Sequence, residues 1–308
     1  MTREKVVVVG VDGSEASLGA VDWAVAEARR ADWRLHIVCA YALPSFTAAS
    51  LDGGYAAMDD TAIHAGAQTV VDEAVARADQ SGLAVTSALE TGDPAGVLVD
   101  LSREASMVVV GTRGGGGFTD RLLGTVSSAL PAHAHCPTVV VPLRSTSRDY
   151  TPVRRIVVGV DGSESARVAL RRAVDEAIMW DAELSAVAAV PIATGAGAMA
   201  WLPAAVDRED VLADVREGLR VAVESAVGDR ELAVRQHALD GNAAALMAEF
   251  STAVELVVVG SRGRGGFAGL LLGSTSQAVL QHAASPVMVV PARSVDEGLS
   301  PTDVPWNR

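Results

Sequence analysis

The sequence repeats itself at a fixed distance. The run Gly10–Glu15 (GVDGSE) recurs 149 positions later from Gly159, and Val108–Gly111 (VVVG) recurs 149 positions later from Val257. A single domain has about 100–200 residues, so this chain of 308 residues has room for two copies of one unit. The repeat therefore requires a fold that is built twice.

A polar stretch separates the two copies. Residues 144–152 are rich in Ser, Thr and Arg and have no apolar period. We predict a first domain over residues 1–147 and a second domain over residues 148–293. The last stretch, 294–308, has three acidic residues and two prolines, and we expect it to form a loose tail.

Within each copy, short β-branched runs alternate with amphipathic segments. Hydrophobic residues make up 49% of the chain and aromatic residues only 4%, which is typical of buried aliphatic strands in a parallel sheet. The first copy predicts strands at 6–11, 35–40, 83–90, 107–111 and 138–141, and helices at 15–31, 57–81, 95–104 and 120–134. The fold class is α/β, with two tandem five-stranded parallel sheets of Rossmann-like order 3-2-1-4-5.

The charge of the chain excludes several functions. A formal net charge of −13 argues against binding to a nucleic-acid backbone, which requires a basic face. Lys5 is the only lysine. A phosphate-binding loop of the GxxxxGK[ST] type and any lysine-nucleophile mechanism are therefore excluded. No duplicated pair of acidic residues suggests acid–base catalysis, so we assign no catalytic residue.

Metal, disulfide and membrane signals are weak. Cys39 and Cys136 lie in apolar surroundings and are expected to be inert buried thiols. The run His133–Cys136 has metal-like spacing, but its last two residues become Ala and Ser in the second copy, so no metal site is predicted.

The uncharged stretch 186–206 is broken by prolines and glycines, which indicates a strand and a loop rather than a membrane span. No signal peptide is evident, and we expect a soluble cytoplasmic protein.

Glycine-rich loops follow the fourth strand of each copy. The order 3-2-1-4-5 places strands 1 and 4 side by side with diverging connections, and ligands bind at the carboxyl ends of such strands. There the chain reads Gly111-Thr112-Arg113-Gly114, nine residues, then Gly124-Thr125-Val126-Ser127, and the second copy has the same spacing from Gly260. Glycines let backbone amides approach an anion, and the following helix points its positive end at it. The pattern suits a phosphate chain; the alternative is a turn that merely joins a strand to a helix.

Other candidates surround these loops. The hydroxyls of Thr125, Ser127, Ser274 and Ser276 can donate to phosphate oxygens. Asp12 and Asp161 end the first strand of each copy; they could accept from a ribose hydroxyl or an adenine amine, assist a metal, or simply bond the backbone of their own turn. Ala40 and Ala189, at the ends of the second strands, would contact an adenine ring through backbone groups and a small side chain.

With these motifs, the chain resembles the universal stress protein family in its tandem two-domain form. The resemblance covers Lys5–Pro142 and Arg155–Pro291, and both copies match the motif G-2x-G-9x-G-[ST]. It implies ATP phosphates against the glycine loops, and Asp12 and Asp161 on the ribose–adenine side. The candidate nucleotide-binding residues are Gly10, Asp12, Ala40, Gly111, Arg113, Gly114, Gly117, Gly124, Thr125, Ser127, Gly159, Asp161, Ala189, Gly260, Arg262, Gly263, Gly266, Gly273, Ser274 and Ser276.

The resemblance also implies a function and an assembly. We expect a stress-response regulatory protein that binds two ATP molecules per chain with Mg²⁺ and senses the nucleotide rather than hydrolysing it rapidly. Cyclic AMP is the alternative ligand, and an interaction scaffold or a slow ATPase are the alternative functions. Family dimers pair through strand five, so the halves are expected to form a pseudo-twofold dimer within the chain. A homodimer and a protein partner of unknown identity remain open.

Overall fold

The computed structural model describes residues 4–41, 60–79, 82–112, 123–143, 149–192, 208–263 and 272–292. These residues fall into two compact units, of which one extends to Arg148 and the other spans Asp149–Ser294. The predicted tail lies outside the described residues, as does most of the polar stretch 144–152.

Each unit alternates strands and helices in the described residues. The first unit contains β1 (Glu4–Gly10), α1 (Glu15–Ala31), β2 (Arg34–Tyr41), α2 (Asp60–Asp79), β3 (Val85–Thr91), α3 (Pro94–Leu101), β4 (Ala105–Gly111), α4 (Thr125–His133) and β5 (Thr138–Val141). The second unit contains β6 (Arg155–Gly159), α5 (Glu164–Trp180), β7 (Glu183–Val190), α6 (Arg208–Val227), β8 (Val234–Asp240), α7 (Ala243–Phe250), β9 (Leu256–Gly260), α8 (Ser274–His282) and β10 (Val287–Val290).

The strands of each unit form a parallel sheet. The order is β3-β2-β1-β4-β5 in the first unit and β8-β7-β6-β9-β10 in the second, and every neighbouring pair within a unit is parallel. The α/β class and the order 3-2-1-4-5 predicted from the sequence are therefore confirmed. The central strands are buried on both faces, which explains why Val6–Val9 and Ile156–Val158 read as continuous aliphatic runs.

Two predicted helix boundaries are corrected. The fourth helix was predicted from residue 120, but α4 begins at Thr125 because Gly124 is an extended N-cap residue; residues 113–122 lie outside the described ranges. The third helix ends at Leu101 rather than near residue 104. Ser102 ends it by donating its Oγ hydrogen to the Val99 carbonyl at 2.5 Å, and the same oxygen accepts from the His135 backbone N–H at 2.9 Å.

The first helix of each unit ends in the same way. Asp32 and Asp181 cap α1 and α5 with a backbone φ of 55°, in the left-handed region. Aspartate tolerates this conformation better than most residues other than glycine. The following amides, of Trp33 and Ala182, donate to carbonyls inside the helix at 2.9 and 2.8 Å, so each helix closes without a glycine.

The uncharged stretch near residue 186 begins as predicted. Its first residues belong to strand β7, while residues 193–207 lie outside the described ranges. Across the part of the chain that the structure describes, each helix is too short or too polar to cross a membrane.

One buried histidine distinguishes the first unit. His36 lies on β2 with no exposed surface, and its Nδ1 is 2.8 Å from the Thr86 Oγ1. Burial, together with the positive charge of Arg34, lowers the pKa of His36 to about 4. The corresponding residue of the second unit is Ser185.

We predict an acid-sensitive stability that depends on His36. Because its pKa is about 4 in the folded state and about 6.5 unfolded, protons bind the unfolded chain more tightly. The first unit should therefore lose about 3 kcal/mol of unfolding free energy as the pH falls from about 6.5 to about 4, at 1.36 kcal/mol per pKa unit. Urea unfolding at several pH values should reveal this loss, and His36→Ser should flatten it. An unchanged pH slope in the variant would contradict the prediction.

Candidate functional site

The carboxyl ends of β1 and β4 lie side by side in the first unit. Val9 on β1 pairs in parallel register with Val109 on β4, so both strands end at the same edge of the sheet. In the second unit Val158 on β6 pairs with Val258 on β9 in the same way. This edge is the switch point at which ligands bind in open parallel sheets.

The turn after β1 is built around Asp12. Its Oδ1 accepts from the Ser14 backbone N–H at 3.1 Å and from the Ser14 hydroxyl at 2.6 Å. Gly13 has a φ of +79°, in the left-handed region that favours glycine. Ser14 then caps α1 by accepting from the Ser17 backbone N–H at 3.2 Å. Asp12 therefore bonds the backbone of its own turn, which was one of the roles considered from the sequence. Its side chain is exposed at the carboxyl edge of the sheet.

The second unit places its aspartate against the glycine loop. Asp161 Oδ1 accepts from the Ser163 backbone N–H at 2.9 Å, as in a turn that bonds its own backbone. A Cβ on Gly263 would lie 2.6 Å from Asp161 Oδ2, so this glycine leaves room for the carboxylate. Asp161 and the loop predicted to hold phosphate thus lie in contact.

Gly111 and Gly260 allow close packing of the first helix on the strand end. A Cβ on Gly111 would lie 2.6 Å from the carbonyl carbon of Ala16, in the first turn of α1. A Cβ on Gly260 would lie 2.8 Å from the carbonyl carbon of Ser165, in the first turn of α5. Real Cβ atoms do not approach backbone so closely, so only glycine fits at these two positions.

Gly10 and Gly159 also have packing roles. A Cβ on Gly10 would lie 2.8 Å from the Leu98 Cδ1. The absence of a side chain at Gly10 therefore lets Leu98 of α3 pack against the end of β1. At Gly159 the nearest atom would be the Met247 Cε of α7 at 3.6 Å, which is an ordinary contact.

The helices α4 and α8 both begin at a glycine. Gly124 and Gly273 are their N-cap residues, and neither helix has a side-chain cap. The amide of Gly124 donates to the Thr112 carbonyl and that of Gly273 to the Ser261 carbonyl, each at 2.8 Å. These bonds tie each helix start to its strand end and leave the first helical amides without a side-chain acceptor. Such a helix start attracts anions.

The loop hydroxyls divide into two groups. Thr125 and Ser274, the first residues of α4 and α8, are exposed. Ser127 is buried and donates its Oγ hydrogen to the Thr112 carbonyl at 2.7 Å, while buried Ser276 donates to the Gly260 carbonyl at 2.7 Å. Both buried hydroxyls already donate to the backbone. These bonds brace the loop against the strand end, and the donation to phosphate predicted for both hydroxyls stays a prediction.

The second strands end beside the same edge. Ala40 and Ala189 are half-buried. Tyr41 makes an edge contact with His64 at a ring distance of 6.2 Å, and its carbonyl accepts from the Gly92 amide at 2.9 Å. Burial raises the pKa of the adjacent Cys39 thiol, and the charge of Asp12 raises it further, so this buried cysteine is uncharged.

Part of the predicted site falls outside the described residues. Arg113, Gly114, Gly117 and Gly266 are in this group. Arg262 is described and exposed. Within the described ranges, no three His, Cys, Asp or Glu side chains are grouped so as to hold a metal ion.

Comparisons with known proteins agree with this architecture. The universal stress protein family model matches residues 4–142 and again residues 152–291. The chain belongs to the universal stress protein family. Universal stress protein Rv2623 of Mycobacterium tuberculosis (strain ATCC 25618 / H37Rv) is 33% identical over 297 residues, which covers 92% of this chain and 95% of that protein. Universal stress protein Rv2005c of the same strain is 34% identical, with 92% and 96% covered.

A solved structure supports the same fold. The crystal structure of a universal stress protein from Archaeoglobus fulgidus DSM 4304 has a TM-score of 0.65 and 20% sequence identity to this chain. It covers 93% of this chain, and 96% of its own chain is matched. The family resemblance recognised from the sequence is confirmed.

This universal stress protein also has an aspartate at the end of a strand whose role sequence reasoning missed. Asp240, at the end of β8, accepts from the Ile192 backbone N–H at 2.9 Å and from the Arg208 Nε at 2.8 Å. The backbone hydrogen bond, and then Arg208, hold the pKa of Asp240 below its usual value. The first unit has Thr91 at this position, so only comparison of the two copies could have drawn attention to it.

A cleft lies at the opposite edge of the second sheet. It measures about 530 Å³ and lies at the amino ends of the strands, beside Arg154, Arg155, Glu183 and Glu255. Arg155 is paired with Glu255 at 2.6 Å, and Glu183 is paired with Arg235 at 2.6 Å. Arg155, Glu183 and Glu255 are therefore all engaged in ion pairs.

We predict that the glycine contact beneath α1 is required for stability. Gly111→Ala should lower the free energy of unfolding by about 1–3 kcal/mol, because the new methyl group meets helix backbone that cannot rotate away. Gly19→Ala, in the middle of α1 with no atom within 4 Å of the added Cβ, is the matched control and should be neutral or stabilising by about 0.5–1 kcal/mol. Urea denaturation of both variants tests this; equal midpoints would contradict it.

Proposed function

We propose that this universal stress protein binds one adenine nucleotide at the carboxyl edge of each unit, two per chain, and acts as a regulatory protein that senses ATP. The observation that carries the proposal is the duplicated helix start. In both units a glycine N-cap is tied to the strand end, and the amides that follow it have no side-chain cap. An ATP phosphate chain supplies the anion that such a helix start attracts.

The aspartates and small residues at the same edge suit the rest of the nucleotide. Asp12 and Asp161 are exposed carboxylates beside the loops and can accept from hydroxyl or amine groups. Ala40 and Ala189 leave space for a flat ring beside the ends of the second strands. We assign the adenosine part of the ligand to this region. Cyclic AMP shares that part, so it is the alternative ligand.

Magnesium would accompany the phosphates. Mg²⁺ commonly keeps several waters and is held by substrate phosphates with one or two carboxylates. That coordination fits a site to which Asp12 or Asp161 contributes one exposed carboxylate. Mg²⁺ would neutralise part of the phosphate charge in a protein of net charge −13.

The proposed regulatory role is cytoplasmic, as expected from the sequence. We also propose a protein partner, of unspecified identity, that responds to whether nucleotide is bound.

We predict that a carboxylate at the helix N-cap displaces ATP without unfolding the protein. Aspartate is a favoured N-cap residue, and a Cβ on Gly273 meets only ordinary contacts at 3.5 Å. Gly124→Asp with Gly273→Asp should therefore fold normally but repel phosphate and occupy the helix amides. Isothermal titration with Mg-ATP should give two sites in the wild type and none in this variant.

The matched control is Gly124→Asn with Gly273→Asn. Asparagine also caps the helix but carries no charge, so it should retain more affinity than aspartate. Titration with ADP and cyclic AMP identifies the preferred ligand. The aspartate variant should lose less affinity for cyclic AMP than for ATP. Wild-type ATP affinity in the aspartate variant would refute the proposed site.

We predict that bound ATP is turned over slowly. Rapid phosphoryl transfer needs a group that orients the attacking water and charges that neutralise the γ-phosphate. The buried hydroxyls of Ser127 and Ser276 donate to the backbone, and Asp12 and Asp161 are held by their own turns. Turnover should be on the order of 10⁻³ s⁻¹ or slower. A single-turnover assay on nucleotide-stripped protein measures the rate of ATP turnover. A rate of ~1 s⁻¹ that is lost in Arg262→Ala would instead identify an ATPase.

A further inference from the structure

Two aromatic side chains meet at the carboxyl edge of the first unit. Tyr41 is the last residue of β2, and the centroid of its ring lies 6.2 Å from that of His64 on α2. The ring planes are 88° apart, which is an edge-to-face geometry favoured by aromatic pairs. Both rings are accessible, because Tyr41 is half-buried and His64 is exposed. We call these two rings the aromatic corner.

The backbone of Tyr41 is held at the end of the sheet. Tyr41 pairs in parallel register with Thr91 of β3, and its carbonyl accepts from the Gly92 N–H at 2.9 Å. Because successive strand residues point to opposite faces of a sheet, Tyr41 shares a face with Cys39 and not with Ala40. The Tyr41 ring is therefore carried by backbone that is already fixed in the free protein.

The aspartate turn lies beside this face of the sheet. The charge of Asp12 raises the pKa of the Cys39 thiol, so these two side chains are close enough to interact. A Cβ on Gly13 would lie 3.0 Å from the Val70 Cγ2, so the turn also lies beside α2. His64 precedes Val70 on α2 by nearly two helical turns. The strand β2 and the helix α2 thus place the aromatic corner and the Asp12 carboxylate along one side of the carboxyl edge.

We propose that the aromatic corner recognises the base of the nucleotide in the first unit, with the adenine ring stacked on Tyr41. The inference rests on the proposed function, which assigns the phosphates to the start of α4 and the adenosine part to the region of Asp12. A purine ring has a large flat apolar face, and stacking on an aromatic side chain removes that face from water. The first unit is therefore expected to bind purine nucleotides more tightly than pyrimidine nucleotides, whose bases are smaller.

The two rings have different roles in this proposal. Tyr41 comes directly after Ala40, where the proposed function places the base, and it has the larger apolar ring. His64 is a positioning residue, because an edge-to-face neighbour restricts the rotation of the Tyr41 ring without covering both of its faces. A ring that is already oriented loses little freedom when a ligand binds, so more of the stacking energy appears as affinity.

The test gives the first unit the residues of the second unit, in the full-length protein. Val190 and Ala213 stand 149 positions after Tyr41 and His64. Tyr41→Val and His64→Ala therefore introduce residues that the same fold accommodates in its other copy. Tyr41→Phe is the conservative variant, since it keeps the aromatic ring. Unfolding midpoints report whether each variant is folded.

The first readout is specific to the first unit. Tyr41 is one of three tyrosines, so selective ¹³C labelling of tyrosine gives few ring signals, and the Tyr41 signal is the one lost in Tyr41→Phe. A stacked adenine shifts the ring protons beneath it upfield. We expect this shift for Tyr41 with Mg-ATP and not with Mg-tripolyphosphate, which has no base. Saturation with ATP without an upfield shift of Tyr41 would refute the stacking role.

The second readout measures affinity. Protection of the α4 amides from hydrogen exchange gives the binding curve of the first unit for ATP, CTP and tripolyphosphate, each with Mg²⁺. We expect Tyr41→Val to raise the ATP midpoint about five- to thirtyfold and His64→Ala to raise it by less. Tyr41→Phe should recover most of the affinity that Tyr41→Val loses. An ATP midpoint that is unchanged in Tyr41→Val would refute base recognition by Tyr41.

The ligands separate this inference from the proposed function. The tripolyphosphate midpoint should be the same in the wild type and in Tyr41→Val, because the phosphates are assigned to the start of α4. The preference for ATP over CTP should fall in Tyr41→Val. Equal wild-type midpoints for ATP, CTP and tripolyphosphate would refute base recognition and leave the phosphate site intact. Absence of α4 protection with all three ligands would refute the proposed function, and base recognition with it.

Discussion

The contact on which the site depends is the approach of the first helix to the end of the fourth strand. Gly111 and Gly260 have no side chain to separate the strand from the helix, so the first turns of α1 and α5 pack directly on the ends of β4 and β9. The aspartate turn and the glycine loop of each unit are thereby brought to one edge of the sheet. Two chain segments about a hundred residues apart become neighbours because the first and fourth strands pair, and the missing side chain lets the helix pack closely on the strand end.

The sequence predicted the fold well because the repeat and the aliphatic runs each restrict it strongly. Runs such as Val6–Val9 can be buried only as central strands, and the confirmed strand order follows from right-handed crossovers. Roles of individual residues were harder to predict. The motif predicts that Ser127 donates to phosphate, which stays a prediction, whereas the hydrogen bond from its hydroxyl to the Thr112 carbonyl depends on packing that the spacing of the motif does not record.

The two units keep one architecture and vary the contacts around it. Asp93 and Asn242 differ in charge, yet each caps its helix by accepting from a backbone amide, at 2.9 and 3.1 Å. His36 and Asp240 have no equivalent in the other unit. Membership of the universal stress protein family accounts for what the units share. The differences lie at the buried strand β2 and at the end of β8.

The central claim is that each carboxyl edge holds one adenine nucleotide with its phosphates at the helix start. A crystal structure of the full chain grown with Mg²⁺ and a non-hydrolysable ATP analogue tests it most directly. We expect two nucleotides per chain, with phosphate oxygens within hydrogen-bond distance of the first amides of α4 and α8. Nucleotide bound only at the amino-edge cleft beside Arg155, or no bound nucleotide at saturating concentration, would contradict it.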